Sequence, residues 1–146
     1  MKRLCTFCVG QGMDEKKKVR LLVVDDHRGY CDLIRNNAEM WHYAYDLECE
    51  FASDAQEAFE LIRDFCPTVI MLDAYIPDIN CIDFIDAHRD GKATIVVTSE
   101  HPSTSLQQSV TAKGATVYVA KTDDPDELDV TLGKIAWIAT EDSSVH

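Results

Sequence analysis

Residues 19–26 read VRLLVVDD, an apolar run that stops abruptly at two aspartates. A β-favouring run with so little polar alternation fits a strand buried on both faces, and such strands belong to parallel sheets covered by helices on either side. The sequence downstream keeps that pattern going. Tyr30, Leu33, Ile34, Ala38 and Trp41 recur at helical spacing as one apolar stripe. Leu47–Phe51 is a weaker strand whose Glu48 and Glu50 suit a sheet edge. Ser53 or Asp54 can cap a helix with Ala55, Ala58, Ile62 and Phe65 toward the core, and Pro67 stops it. Thr68–Leu72 and Thr94–Thr98 read as strands on either side of a short helix at Cys81–His88. Ser103–Lys113 is helical with Gly114 placed to end it, and Thr116–Ala120 is the last strand. Asp124 caps a final helix that has Pro125 at its first position and Asp126 and Glu127 in its first turn. Strand and helix alternate five times, which predicts an α/β, doubly wound, five-stranded parallel sheet.

The chain has 146 residues, 46% of them apolar, enough for one substantial core. The expected organisation is a flexible leader at 1–18, a folded domain at 19–140 and a C-terminal tail at 141–146. No apolar run approaches the roughly 20 residues of a membrane-spanning helix, and Leu4–Val9 is too short for a signal-peptide core. The expectation is a soluble, cytoplasmic protein without membrane contact, whose output passes through a partner. Formal charge is −12; the first twenty residues carry +4, which leaves −16 on the body. That body repels phosphodiester backbones and anionic lipid, so no direct nucleic-acid binding is expected. The six cysteines are irregularly spaced and read as free, buried or half-buried thiols. Cys5 and Cys8 form a CxxC with no second pair at zinc-site spacing, and Met13 is an alternative start that leads straight into the first strand.

In open α/β sheets, ligands bind outside the carboxyl ends of the strands. Here the first strand ends in Asp25-Asp26, the third in Asp73, the fourth in Thr98, and the fifth runs into Lys121. Folding gathers three carboxylates, a hydroxyl and an ammonium at one edge. Carboxylates at that spacing repel, and a hard divalent cation such as Mg²⁺ relieves them. One carboxylate then remains free to act as a nucleophile toward a phosphoryl donor, with Lys121 balancing charge and Thr98 donating a hydrogen bond.

The stretch from about Val19 to Ala139 resembles the response-regulator receiver family, including single-domain members such as the chemotaxis response regulator. The matching pieces are LLVVDD (21–26), VIMLDAYIPD (69–78), VVTSE (96–100) and YVAK (118–121). The resemblance implies a flavodoxin-like (βα)5 fold and a role in a two-component system or phosphorelay. It implies that Asp73 is the phosphoacceptor and that Asp25, Asp26, Asp73 and the Tyr75 backbone carbonyl bind Mg²⁺. It makes Thr98 and Tyr118 the switch pair and Lys121 the family's lysine, and Pro77 matches as well. The implied partners are a sensor histidine kinase or histidine phosphotransfer protein, a downstream protein target, and a second copy as homodimer. Three departures stand out. Cys81 replaces a usual Gly, which alters the loop if a positive φ is required there. Thr122 follows Lys121 where many members have Pro, and its bond should be trans. Tyr75 and Glu100 flank the path of hydrolytic water, and a shielding Tyr75 favours a longer-lived phosphoryl group.

On the last helix, Leu128, Leu132, Ile135 and Ala139 share the core side, while Trp137 projects opposite, near Val130, as a candidate partner face. Two other readings compete. A haloacid-dehalogenase-like phosphatase also uses a strand-end Asp, but wants a second Asp two residues on, where this chain has Tyr75. A non-phosphorylated interaction module could keep the fold with its site idle. The reading taken is regulatory, not enzymatic, apart from self-catalysed dephosphorylation.

Overall fold

The computed structural model describes residues 17–39 and 45–145, with side chains as far as residue 140. Its elements alternate as β1 (Lys17–Val24), α1 (Arg28–Glu39), β2 (Tyr45–Ala52), α2 (Ala55–Phe65), β3 (Val69–Asp73), α3 (Cys81–His88), β4 (Thr94–Ser99), α4 (Thr104–Lys113), β5 (Val117–Ala120) and α5 (Pro125–Val145). The sheet is parallel throughout, in the order β2-β1-β3-β4-β5. The expected doubly wound sheet is present, with Leu47–Phe51 inside an edge strand. Cys5, Cys8, Met13, Trp41 and most of the leader lie outside the described residues. No helix among the described residues is long and apolar enough to cross a membrane.

Alternate side chains of the central strands feed two cores. Leu22, Val24, Ile70, Leu72, Ile95 and Val97 pack beneath α2, α3 and α4. Val19, Leu21, Val23, Val69, Met71 and Val96 pack beneath α1 and α5. This two-sided burial explains why β1, β3 and β4 carry almost no polar alternation. Helix starts follow capping chemistry. Asp54, not Ser53, caps α2, its carboxylate accepting the Glu57 N–H at 2.9 Å while Glu57 reaches back to the Ser53 N–H at 2.8 Å. Asn80 caps α3, Ser103 caps α4, and the Asp124 carboxylate accepts the Asp126 N–H at 2.9 Å at the head of α5. Gly114 ends α4 at φ 125°, where an added Cβ would lie 2.8 Å from the Arg89 side chain.

Several local expectations needed correction. β1 begins at Lys17, so Lys17 and Lys18 are strand residues opposite Tyr45 and Asp46 rather than leader. α5 continues as helix through Val145, into the segment set off as a tail. On α2 only Ala58 is fully buried; Leu61 and Ile62 are half-buried, and Phe65 spends its ring under the Arg20 guanidinium, 4.4 Å away. Cys66 is exposed, in the left-handed region at φ 53°. Pro67 disfavours the right-handed helical conformation for the residue before it, so α2 ends at Cys66, whose thiol donates to the Arg63 carbonyl at 3.5 Å. Cys31 and Cys81 are buried, Cys49 is half-buried, and none of these four is in a disulfide. Cys81 opens α3 on ordinary backbone, since among described non-glycine residues only Cys66 has positive φ. No described peptide bond is cis, Lys121–Thr122 included.

Candidate functional site

β1 and β3 are neighbours whose connections leave in opposite directions, so the loops after them diverge and open a crevice at the carboxyl edge. Asp25 and Asp73 stand on the two sides of that opening. Backbone bonds continue the ladder one residue past each strand and fix the site. The Asp25 N–H donates to the Ala52 carbonyl, the Ala74 N–H to the Thr98 carbonyl and the Lys121 N–H to the Ser99 carbonyl, each at 2.9 Å. Asp73 and Thr98 are register partners.

Carboxylate oxygens of Asp25, Asp26 and Asp73 lie within 4.8 Å of one another. Lys121 reaches in from beyond β5, with Nζ 2.7 Å from Asp25 Oδ2 and 3.4 Å from Asp73 Oδ2. Asp25, Asp73, Thr98 and the Lys121 side chain are all buried, and Asp26 is exposed. Three acids facing one ammonium leave a local excess of two negative charges. Burial holds the Asp25 carboxyl above the ordinary carboxylate value, while Lys121 and the His27 N–H pull it partly back. Burial by itself would lower the Lys121 pKa, but the two carboxylates outweigh it and the net direction is upward. The lysine is therefore a fixed cation at neutral pH. The remaining lone pairs are spoken for in part: Asp25 Oδ1 accepts the His27 N–H at 2.8 Å, and Asp73 Oδ1 accepts the Tyr75 N–H at 3.2 Å. A small, hard, oxygen-seeking divalent cation fits this donor set, and Asp26 faces the solvent from which it would enter.

Other residues singled out from sequence fall around this nest. The Tyr75 side chain is 64% exposed beside the crevice. Tyr118 is half-buried on β5, and its hydroxyl accepts the N–H of Ser103, the capping residue of α4, at 3.1 Å. Trp137 and Val130 are exposed together on the outer side of α5, at 56% and 68%, while Leu128, Leu132, Ile135 and Ala139 are buried as expected. Burial first and the Asp73 charge second push the Cys81 thiol up to about 11, and Cys31 is raised to about 11 by burial and Asp25. Neither is a nucleophile at neutral pH. Sequence reasoning missed two neighbours. Ser103 was read only as a helix start. Tyr30 was read as core, yet the Lys121 ammonium sits 5.0 Å from its ring centroid. Its one signal in the sequence is a polar tip inside an apolar stripe.

Residues 21–132 match the model of the response regulator receiver domain. The chain is 28% identical over 134 residues to the transcriptional regulatory protein MctR of Rhizobium johnstonii, covering 90% of this chain and 62% of that protein. It is 28% identical over 120 residues to the transcriptional regulatory protein DegU of Brevibacillus brevis, covering 77% and 48%. It thus spans less than two thirds of the length of these relatives. Among solved structures, a CheY-like response regulator receiver domain protein from Methanospirillum hungatei JF-1 superposes with a TM-score of 0.72 at 23% identity, over 90% of this chain and all of that one. The gathered strand-end acids and lysine, the five-stranded fold and the family match together place this chain in the response regulator receiver domain family.

Proposed function

We propose that the chain receives a phosphoryl group on Asp73 and relays that event to a protein partner. The observation that carries this reading is the Lys121 ammonium lodged between Asp25 and Asp73 inside a three-carboxylate nest at the strand ends. In the transfer, an Asp73 carboxylate oxygen attacks phosphorus. A P–O bond forms, the bond from phosphorus to the donor nitrogen breaks, and the electron pair leaves with the donor imidazole. A bound Mg²⁺, held by Asp25, Asp26, Asp73 and the Tyr75 carbonyl, would supply charge neutralisation for the phosphoryl oxygens. Lys121 balances the charge gained at Asp73, and the Thr98 hydroxyl donates to a phosphoryl oxygen. Tyr118 then exchanges its bond to the Ser103 N–H for an inward position, shifting the population of α4 and its surroundings.

The donor in this reading is a sensor histidine kinase or a histidine phosphotransfer protein in the cytoplasm. The output of these residues is a protein contact, with Trp137 as its anchor, made to a downstream target or to a second copy in a homodimer. The charge of the body argues against a direct nucleic-acid role for this segment. A phosphatase of the haloacid-dehalogenase type is disfavoured because Tyr75 stands where that chemistry needs a second aspartate. The test is intact-mass analysis after exposure to acetyl phosphate and Mg²⁺. The parent should gain one phosphoryl group and Asp73→Asn none. An unlabelled parent, or a variant labelled as fully as the parent, overturns the assignment.

A further inference from the structure

We propose that Tyr30 is a positioning residue whose ring face holds the Lys121 ammonium against Asp25 and Asp73. The inference deepens the phosphoryl-transfer reading above and rests on it for its kinetic consequence. An ammonium has three N–H donors. Two face the carboxylates, at 2.7 Å and 3.4 Å. The Tyr30 ring takes another side, its centroid 5.0 Å from Nζ. The negative face of an aromatic ring attracts a cation, and does so more strongly where water is excluded. Here the lysine side chain is only 6% exposed.

The ring and the acid are set by one short piece of chain. The His27 N–H donates to Asp25 Oδ1 at 2.8 Å, and His27 Nδ1 in turn accepts the Tyr30 N–H at 3.2 Å. Cys31 Sγ donates to the Asp25 carbonyl at 3.6 Å. The turn from β1 into α1 therefore delivers Asp25 and Tyr30 as a unit to Lys121, which arrives from the end of β5. Tyr30 and Lys121 both line a cleft of about 730 Å³, along with His27, Leu33, Glu100 and His101. Water admitted there would weaken both ion pairs by raising the local dielectric.

Packing alone does not call for tyrosine at this place. The Tyr30 hydroxyl is buried and has no hydrogen-bond partner among the described residues. Leu, Met or Phe would continue the stripe of α1 without burying an unpartnered hydroxyl. What the position uses is an aromatic face, and the hydroxyl is incidental to it.

The test compares the parent with Tyr30→Phe and Tyr30→Leu in the full chain. Phosphoryl uptake from phosphoramidate with Mg²⁺ is followed by mass, and the Lys121 side chain by NMR with ¹³C-labelled lysine. Uptake should slow roughly tenfold in Tyr30→Leu and stay at the parental rate in Tyr30→Phe. The Lys121 ε-methylene protons should be shifted upfield by the ring in the parent and in Tyr30→Phe, and lie at ordinary positions in Tyr30→Leu. Tyr30→Phe should melt at or above the parental temperature. Parental uptake by Tyr30→Leu, slowed uptake by Tyr30→Phe, or no upfield shift in the parent each overturns the inference. If Tyr30→Leu does not fold, Tyr30→Met takes its place, and the shift in the parent needs no variant at all. A parent that takes up no phosphoryl group defeats the functional reading instead, and the ring shift still decides whether Tyr30 holds Lys121.

Discussion

Asp73→Asn should make the metal-free protein more stable, although it removes the group on which the proposed function depends. The Asp73 carboxylate has two acidic neighbours with oxygens within 4.8 Å and one ammonium at 3.4 Å. At an effective dielectric near 20, each like-charged pair at that limit repels by about 3.5 kcal/mol, so the two together cost about 7 kcal/mol. The ammonium returns about 5 kcal/mol on the same scale. The difference is about 2 kcal/mol of net repulsion, and screening that takes about 1 kcal/mol off the pair with exposed Asp26 leaves about 1 kcal/mol. Asparagine keeps the shape and still accepts the Tyr75 N–H, so the gain should appear as a melting temperature higher by about 2–4 °C in EDTA. Added Mg²⁺ should act in the reverse sense. At ten times its dissociation constant it stabilises the parent by about 1.4 kcal/mol and the variant by less. Urea denaturation of both proteins, in EDTA and across a Mg²⁺ series, measures all four stabilities. A variant less stable than the parent in EDTA, or a parent indifferent to millimolar Mg²⁺, refutes the electrostatic account of the nest.

The Asp25 carboxyl is held above its ordinary value of 3.8, chiefly by burial. The folded chain then binds that proton more tightly than the unfolded chain, so its contribution is complete below about pH 4 and is lost as pH rises through the raised folded value. Subtracting the stability profile of Asp25→Asn from that of the parent in EDTA should leave a difference that falls with rising pH; a flat difference contradicts the assignment. If the exposed Tyr75 ring shields the acyl phosphate, Tyr75→Ala should shorten its lifetime several-fold; an unchanged half-life in a phosphate-release assay removes that role. Trp137→Ala should leave the urea midpoint within about 0.5 kcal/mol of the parent and abolish association that depends on phosphorylation. Association undiminished in light scattering rules the anchor out. Tyr118→Phe deletes one hydrogen bond of about 1 kcal/mol from the outward ring position, so beryllofluoride should bind the variant several-fold more tightly in calorimetry; equal affinity means the Ser103 tether does not oppose the switch.

The strands were readable because each is a single property of local sequence. A run such as VIML at 69–72 can hardly be anything but a twice-buried strand, and it ends at Asp73 both in the reading and in the fold. The same holds for the α3 boundaries, where Asn80 caps and the apolar residues are few but well placed. What escaped was decided by competition between neighbours. The end of α2 at Cys66 is set by Pro67, which disfavours continued helix there. The role of Phe65 depends on Arg20, which also hydrogen-bonds the Phe65 carbonyl at 2.8 Å and pairs with Glu48 at 2.8 Å. Phe59 is 54% exposed yet stacks with Phe84 and His88 across two helices. Periodicity shows that Tyr30 faces inward; only assembly of the sheet shows that a lysine from the far end of the chain meets its ring.

Register explains why the nest can be rigid while its surroundings shift. A one-residue slip of a strand turns every side chain to the other face, so Lys121 would leave Asp25 and Asp73 if β5 moved against β4. The ladder bonds at Asp25, Ala74 and Lys121 oppose such a slip at or next to the residues that carry the charges. Around them the sheet is buried on both faces, and opening it means exposing Val24, Leu72 and Val97 to water. The bond between the Tyr118 hydroxyl and the Ser103 N–H has no such protection. It is a single contact beside exposed Ser103, worth about 1 kcal/mol, at the end of a helix whose only fully buried residue is Val110. A charge added at Asp73 therefore meets a fixed frame on one side and a weakly held helix start on the other. On the phosphoryl-transfer reading proposed above, the response that disturbs least is for Tyr118 and α4 to move while the acids and the lysine stay in place.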